Sequence, residues 1–177
     1  MQARGPLMIE HRLIERMLAI GGRALARIAL DDTVDPVFID NLVDFIRMYA
    51  DRTHHGKEEN ILFRELEKKP MSGVDRHLME ELVAEHVLGR KTTQALVEAN
   101  SRYRAGDASA LPDIAATLKQ LVDFYPKHIE KEDKVFFPAA RVYFSDQEEQ
   151  ELLAEYWEFD RKMIHEKYET DVERLEG

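Results

Sequence analysis

The sequence predicts an all-α fold, an up-and-down four-helix bundle with an additional C-terminal helix. Three observations predict it. Apolar residues recur at helical spacing through most of the chain, with no strand-like alternation of useful length. Proline, glycine and capping residues punctuate that pattern between the apolar segments. Finally, a single histidine followed later by His-x-x-x-Glu occurs twice, so that one helical hairpin is repeated.

The first helix is expected over residues 6–29, with Leu7, Met8, His11, Ile14 and Leu18 on one stripe. The stretch from Asp31 to Pro36 breaks it. Asp35 suits the N-cap of the second helix and Pro36 its first turn. This helix runs to about residue 67 and carries Ile39, Leu42, Val43, Ile46 and Ala50 towards His54, Glu58, Ile61 and Leu62. Pro70 and Gly73 end it. The third helix is expected over 74–103, with Met79, Leu82, Val83, His86, Thr93 and Val97 on one face. Residues 105–112 (AGDASALP) are a loop with Gly106 as the C-cap.

The fourth helix spans 112–142 and includes Pro126, which removes a backbone donor and predicts a kink two residues before His128. The apolar period persists on both sides of it, so the helix is expected to continue. Ser145 and Glu148 form the capping box of a fifth helix reaching about residue 175, packed on the bundle through Tyr156, Trp157 and Phe159. No linker divides the chain. A single domain over 1–177 is expected, with the bundle at about 6–143 and the C-terminal helix at about 145–175.

The bulk properties exclude several classes. A formal charge of -10 argues against a non-specific nucleic-acid binder and against attraction to an anionic membrane surface. No apolar run is long enough for a transmembrane helix. The N-terminal residues lack the apolar core and cleavage site of a signal peptide, and a cytoplasmic protein is expected. Cysteine is absent, which removes disulfides, thiolate chemistry and iron–sulfur ligation by this chain. Any metal site must therefore use histidine and carboxylates.

The stretch YPKHIEKEDKVFFP (125–138) places His128 and Glu132 one helical turn apart within an apolar segment. Buried charge is costly unless it is paired or coordinates a metal. Alone, such a pair reads as a single hydrogen bond inside a helix. It does not stand alone. HHGKEENILF (54–63) aligns with HIEKEDKVFF (128–137), matching His54 to His128, Glu58 to Glu132, the lysine between them and the acid that follows. Upstream, Glu10-His11 matches Glu85-His86. A pseudo-two-fold bundle brings four histidines and two glutamates to one level in its interior. Imidazole is a strong ligand for iron, zinc, copper or nickel, and two inward carboxylates can bridge two cations. His11, His54, Glu58, His86, His128 and Glu132 are the expected metal ligands.

Across nearly its whole length the chain resembles the hemerythrin-like proteins of the HHE cation-binding type, on the strength of His11, HHGKEENILF, AEH ending at His86 and HIEKEDKVFFP. The resemblance implies a four-helix bundle holding two iron ions in an oxo- or hydroxo-bridged di-iron centre. His11 and His54 would bind one iron, His86 and His128 the other, and Glu58 and Glu132 would bridge them. A protein that binds or senses a small molecule such as oxygen, nitric oxide or peroxide is expected. The alternatives are a di-iron enzyme or repair factor, of ferroxidase, peroxidase or iron-supplying type, and a bundle stabilised structurally by zinc or another divalent metal.

Two departures from the oxygen-carrying hemerythrins are visible. Those proteins place two ligand histidines one turn apart on the third helix, whereas Leu82 and Arg90 flank His86 here, which leaves a coordination position open. Their bridging carboxylate on the last helix is an aspartate five residues after its histidine. Asp133 stands at that position, and the internal repeat favours Glu132.

Other residues read differently. His55 and Glu59 offer a competing frame that the repeat disfavours. His77 and His165 read as solvated. Glu15, one turn after His11, fits either an acceptor for an imidazole N–H or a surface charge. Tyr49 and Tyr125 lie within about two turns of the ligands and read as core residues.

Overall fold

A computed structural model of the chain describes residues 2–176, so that Met1 and Gly177 lie outside it. Among the described residues there are five long helices and no strand. α1 is Arg4–Asp31. α2 occupies residues 36–67, α3 is Gly73–Arg104 and α4 occupies residues 111–140. α5 is Asp146–Glu176. Around the bundle α1 neighbours α2 and α4, and α3 neighbours the same two helices, while α5 lies against α2. The fold is the all-α helical bundle with an extra C-terminal helix that the periodicity predicts. Among the described residues no helix is long and apolar enough to cross a membrane.

The punctuation acts through local chemistry. The Asp35 carboxylate accepts a hydrogen bond from the Val37 N–H at 2.9 Å, with Pro36 in the first turn of α2. Ser72 caps α3 by accepting from the Asp75 N–H at 3.1 Å. Gly106 takes φ of +95° just beyond α3, a conformation that suits glycine. Ser145 and Glu148 form a reciprocal capping box: the Ser145 N–H donates to the Glu148 carboxylate at 2.8 Å, and the Glu148 N–H donates to the Ser145 hydroxyl at 3.3 Å. Pro126 sits inside a helical run that continues from Leu111 to Lys131.

α2 and α4 are not regular α-helices throughout. Wide π-type turns run over Ile46–His55 and Glu58–Phe63 in α2 and over Glu132–Phe136 in α4. The second and third begin at the two glutamates that the repeat aligns. Such turns are rare and concentrate at functional sites.

The core is split by a polar layer. One apolar cluster holds Ile14, Leu18, Ile39, Leu42, Ala50, Leu96, Leu118, Leu121 and Ile129. The other holds Leu7, Ile61, Phe63, Leu82, Phe136, Phe137, Leu152 and Tyr156. On α1, α2 and α3 the expected metal ligands fall in the sequence gap between the two clusters, and all six are buried.

Two packing details depart from the sequence reading. Trp157 is 65% exposed and points away from the bundle, which leaves Tyr156 and Phe159 as the aromatic contacts of α5. On α3, Val83 is partly exposed. Gly89, Leu96 and Asn100 share the buried face with Leu82, His86 and Thr93, because the helical repeat places the residues at i−4, i+3 and i+7 from His86 on one side. α5 closes on α2 at Gly56, where an added Cβ would lie 2.8 Å from the Phe159 ring. Beside it, the fully buried Lys57 ammonium donates to Asp160 of α5 at 2.6 Å and to Glu10 of α1.

Leu7→Ala and Leu118→Ala empty sites in opposite clusters, and each is expected to cost about 2–5 kcal/mol. In urea melts followed by circular dichroism, both should shift one common transition. A variant that splits the melt in two would show that the clusters unfold as separate units.

Candidate metal centre

The six residues converge on one level of the bundle. His11 of α1 and His54 of α2 have ring centroids 4.5 Å apart, and His86 of α3 and His128 of α4 have theirs 5.0 Å apart. Between the two imidazole pairs lie Glu58 and Glu132, both with fully buried carboxylates. Each carboxylate turns one oxygen to each pair. Glu132 Oε2 is 3.2 Å from His11 Nε2, and its Oε1 is 3.2 Å from His128 Nε2 and 3.7 Å from His86 Nε2. Glu58 Oε1 is 3.7 Å from His54 Nε2, and its Oε2 is 3.4 Å from His86 Nε2. His11, His54, Glu58 and Glu132 together bring four donor atoms within 4.8 Å of one another.

The opposite ring nitrogens explain how the imidazoles are aimed. Each Nδ1 faces a carboxylate on another helix. The distances are 2.8 Å for His11 to Asp133, 2.9 Å for His54 to Glu10, 2.7 Å for His86 to Glu59 and 2.7 Å for His128 to Glu85. Each of these carboxylates also meets a cation: Arg12 with Asp133, Lys57 with Glu10, Arg90 with Glu59 and Lys131 with Glu85. This arrangement fixes the proton on Nδ1 and leaves Nε2 as an inward lone pair, the usual support for a metal-bound histidine.

The four acids follow the sequence repeat, Glu10 with Glu85 and Glu59 with Asp133, which is the signal that identifies them. Asp133 thus supports His11, while the carboxylate between the two imidazole pairs on α4 is that of Glu132. Glu15 is a surface residue paired with Arg12 at 3.0 Å. His77 and His165 are exposed.

These residues fit metal cations. All four Nε2 atoms and all four oxygens of Glu58 and Glu132 are buried without a hydrogen-bond partner. Leaving a buried polar group unsatisfied costs about 1–3 kcal/mol, and more when it is charged. Eight such atoms directed at one small volume are accounted for by metal ions and not by hydrogen bonding among themselves. The donor types, imidazole nitrogen and carboxylate oxygen, suit iron and zinc.

The titration behaviour points the same way. Burial depresses the pKa of His11, but its contacts with Asp133 and Glu132 outweigh this and carry it up to about 9. Burial likewise opposes protonation of His86, while Glu132, Glu58 and Glu59 raise it to about 11. Burial favours the neutral form of Glu132, yet the surrounding imidazoles hold its carboxyl well below the usual range. Without metal, protons on His11 and His86 therefore take over part of the cations' role.

His55 is not marked as a ligand by the internal repeat. It is buried, and its ring stacks on His86 with centroids 3.8 Å apart and lies 5.6 Å from His128 edge-on. Its repeat partner is Ile129, a core residue, and that match is the signal that position 55 faces inward. Glu59, its partner in the competing frame, turns outward to His86 Nδ1 and Arg90. Tyr49 packs against the first apolar cluster, and Tyr125 is buried within it.

A helical bundle with an internal layer of imidazoles and two shared carboxylates, in which His55, His86 and His128 bring donor atoms within 4.8 Å of one another beside the four-donor group, defines a metal-binding bundle. The chain belongs to the hemerythrin family: residues 6–140 match the hemerythrin HHE cation-binding domain. It is also 27% identical over 135 residues to an uncharacterized protein of Mycobacterium bovis and to uncharacterized proteins of two Mycobacterium tuberculosis strains. Those matches cover 76% of this chain, which spans about half the length (52%) of these relatives. No solved structure matches the chain at a significant level.

The raised histidine pKa values predict a pH signature. Relative to an unfolded value of about 6.5, protonated His11 and His86 stabilise the chelated protein fully below that pH. The contribution of His11 is lost as pH rises through about 9, and that of His86 through about 11. The melting temperature of chelated protein should therefore fall between pH 7 and 9.5. Metal-loaded protein should release protons on loading and show a flatter profile. Equal slopes for the two forms would exclude this linkage.

Proposed function

We propose that this chain is a non-haem di-iron protein that binds or senses oxygen, nitric oxide or another small oxidant. The observation that carries the reading is the two-sided set of eight unpartnered donor atoms. His11, His54, Glu58 and Glu132 would hold one ion. His86 and His128 would hold the other, with Glu58 and Glu132 shared and His55 bringing a third imidazole nitrogen within 4.8 Å of theirs. Iron in such mixed imidazole–carboxylate sites can keep positions free for small exogenous ligands. Bound iron would supply reversible coordination of a diatomic or an anion and one-electron chemistry. The chain's own contribution is to hold the imidazoles by their Nδ1 partners, keep both carboxylates ionised, and surround the layer with apolar clusters that exclude water.

Family membership supports cation binding, and the donor set supports two ions. Iron is favoured over zinc because the two shared carboxylates suit a harder ion pair than the tetrahedral sites zinc prefers.

Iron-reconstituted protein should contain about two irons per chain, as the donors fall into two groups, and show the visible charge-transfer bands of a bridged di-iron centre. Addition of nitric oxide or azide should perturb those bands. Reconstituted protein that retains no metal would sink the proposal.

Glu132 and Asp133 are expected to separate cleanly. Glu132→Gln should abolish the bridged spectrum and lower the metal count. Asp133→Asn, which removes only support for His11, should keep the spectrum and weaken metal affinity about 10–100-fold. Loss of the bridged spectrum in Asp133→Asn with retention in Glu132→Gln would reverse the assignment.

A further inference from the structure

Two consecutive histidines on α2 reach the metal layer. His54 and His55 are both buried, and they close the wide π-type stretch Ile46–His55. Neighbouring side chains on a regular α-helix are turned about 100° from each other. A π-type turn holds more residues and narrows that angle, which helps to bring both rings inward. The two rings then part. His54 lies 4.5 Å from His11, whereas His55 lies 3.8 Å from His86 and 5.6 Å from His128. One backbone irregularity thus serves both sides of the layer.

The donor sets on the two sides differ in kind. On the first, His11 and His54 stand with Glu58 and Glu132. On the second, His55, His86 and His128 bring three imidazole nitrogens within 4.8 Å of one another. The same two glutamates turn oxygens to His86 and His128. α3 adds no further imidazole there, because Leu82 and Arg90 stand one turn either side of His86. Position 55 has no imidazole counterpart on α4, where the repeat places Ile129.

His55 is also the least constrained ring of the layer. A carboxylate 2.7 Å from Nδ1 fixes His86, and another at 2.7 Å fixes His128. His55 Nδ1 makes only a long 3.4 Å contact with Asp51 Oδ1, an oxygen that already accepts from Arg90 Nε at 2.7 Å. A contact of that length is weak. The stack of His55 on His86, with planes 11° apart, is therefore not locked from behind. Nitrogens that share an ion lie about 3–4 Å apart, given metal–nitrogen bonds of about 2.1 Å. A lone pair lies in the plane of its ring, so rotation of His55 out of the stack both aims its nitrogen and closes the remaining distance.

We infer that His55 is the third imidazole ligand of the second metal position, and that this position binds a divalent transition metal before the first one does. The inference rests on the metal-binding reading and adds an order of filling to it. Both positions share the same two carboxylates. The extra imidazole, a strong donor to cobalt, nickel and zinc, is what separates their affinities.

Cobalt(II) titrated anaerobically into the chelated protein tests it. Visible absorption should resolve two steps of unequal affinity. At one equivalent, proton NMR should show paramagnetically shifted, exchangeable N–H signals from three imidazoles. His55→Phe should weaken the tight step at least about tenfold and leave the other step unchanged. Signals from only two imidazoles at one equivalent would overturn the inference, as would wild-type cobalt affinities in a folded His55→Phe protein. The NMR count is made on the wild-type chain, so it decides the matter if the buried substitution costs the fold. Wild-type protein that takes up no cobalt would overturn the inference together with the metal-binding reading, a result distinguishable from the other two.

Discussion

Two carboxylates, Glu58 and Glu132, lie side by side in the protein interior with none of their four oxygens hydrogen-bonded. Everything else in the bundle answers to that constraint. Buried like charges are tolerated only where countercharge is supplied at close range. Four imidazoles supply the inner contact, and each is itself braced by an acid–cation pair drawn from elsewhere in the bundle. Each supporting acid therefore has a lysine or arginine beside it, whereas Glu58 and Glu132 face only imidazoles.

The same constraint accounts for irregular features of the helices. The π-type turns that begin at Glu58 and Glu132 widen the backbone where the ligands project. The fully buried Lys57 ties Glu10, the support of His54, to Asp160 on α5. The C-terminal helix is thereby linked to the metal layer by an ion pair as well as by the apolar packing of Leu152, Leu153 and Tyr156. At Gly56, a side chain would meet Phe159 at once.

Much of this was legible in the chain. The caps at Asp35 and Ser145, the breaks near Pro70 and Gly106, and the helical periods are local signals, and local signals specify helices. The repeat also identified the six inward residues, because i and i+4 share a face regardless of what the helix packs against. The placement of Trp157 outside, the turn of Val83 towards solvent and the stacking of His55 on His86 were not legible in the same way. Each depends on the rotation of one helix against another, which a single segment's periodicity constrains only to within a residue or so.

The sequence by itself determined the architecture, its duplicated hairpin and the chemical identity of the donor set, because spacing along a helix converts directly into position around its axis. The tertiary structure decided which oxygen faces which imidazole, that Glu132 and not Asp133 lies between the pairs, that four cations brace the supporting acids, and that His55 stands with His86 and His128. Those relations join residues up to 122 positions apart. Only the packing of the helices brings such residues within hydrogen-bonding distance, where fractions of an ångström determine the chemistry.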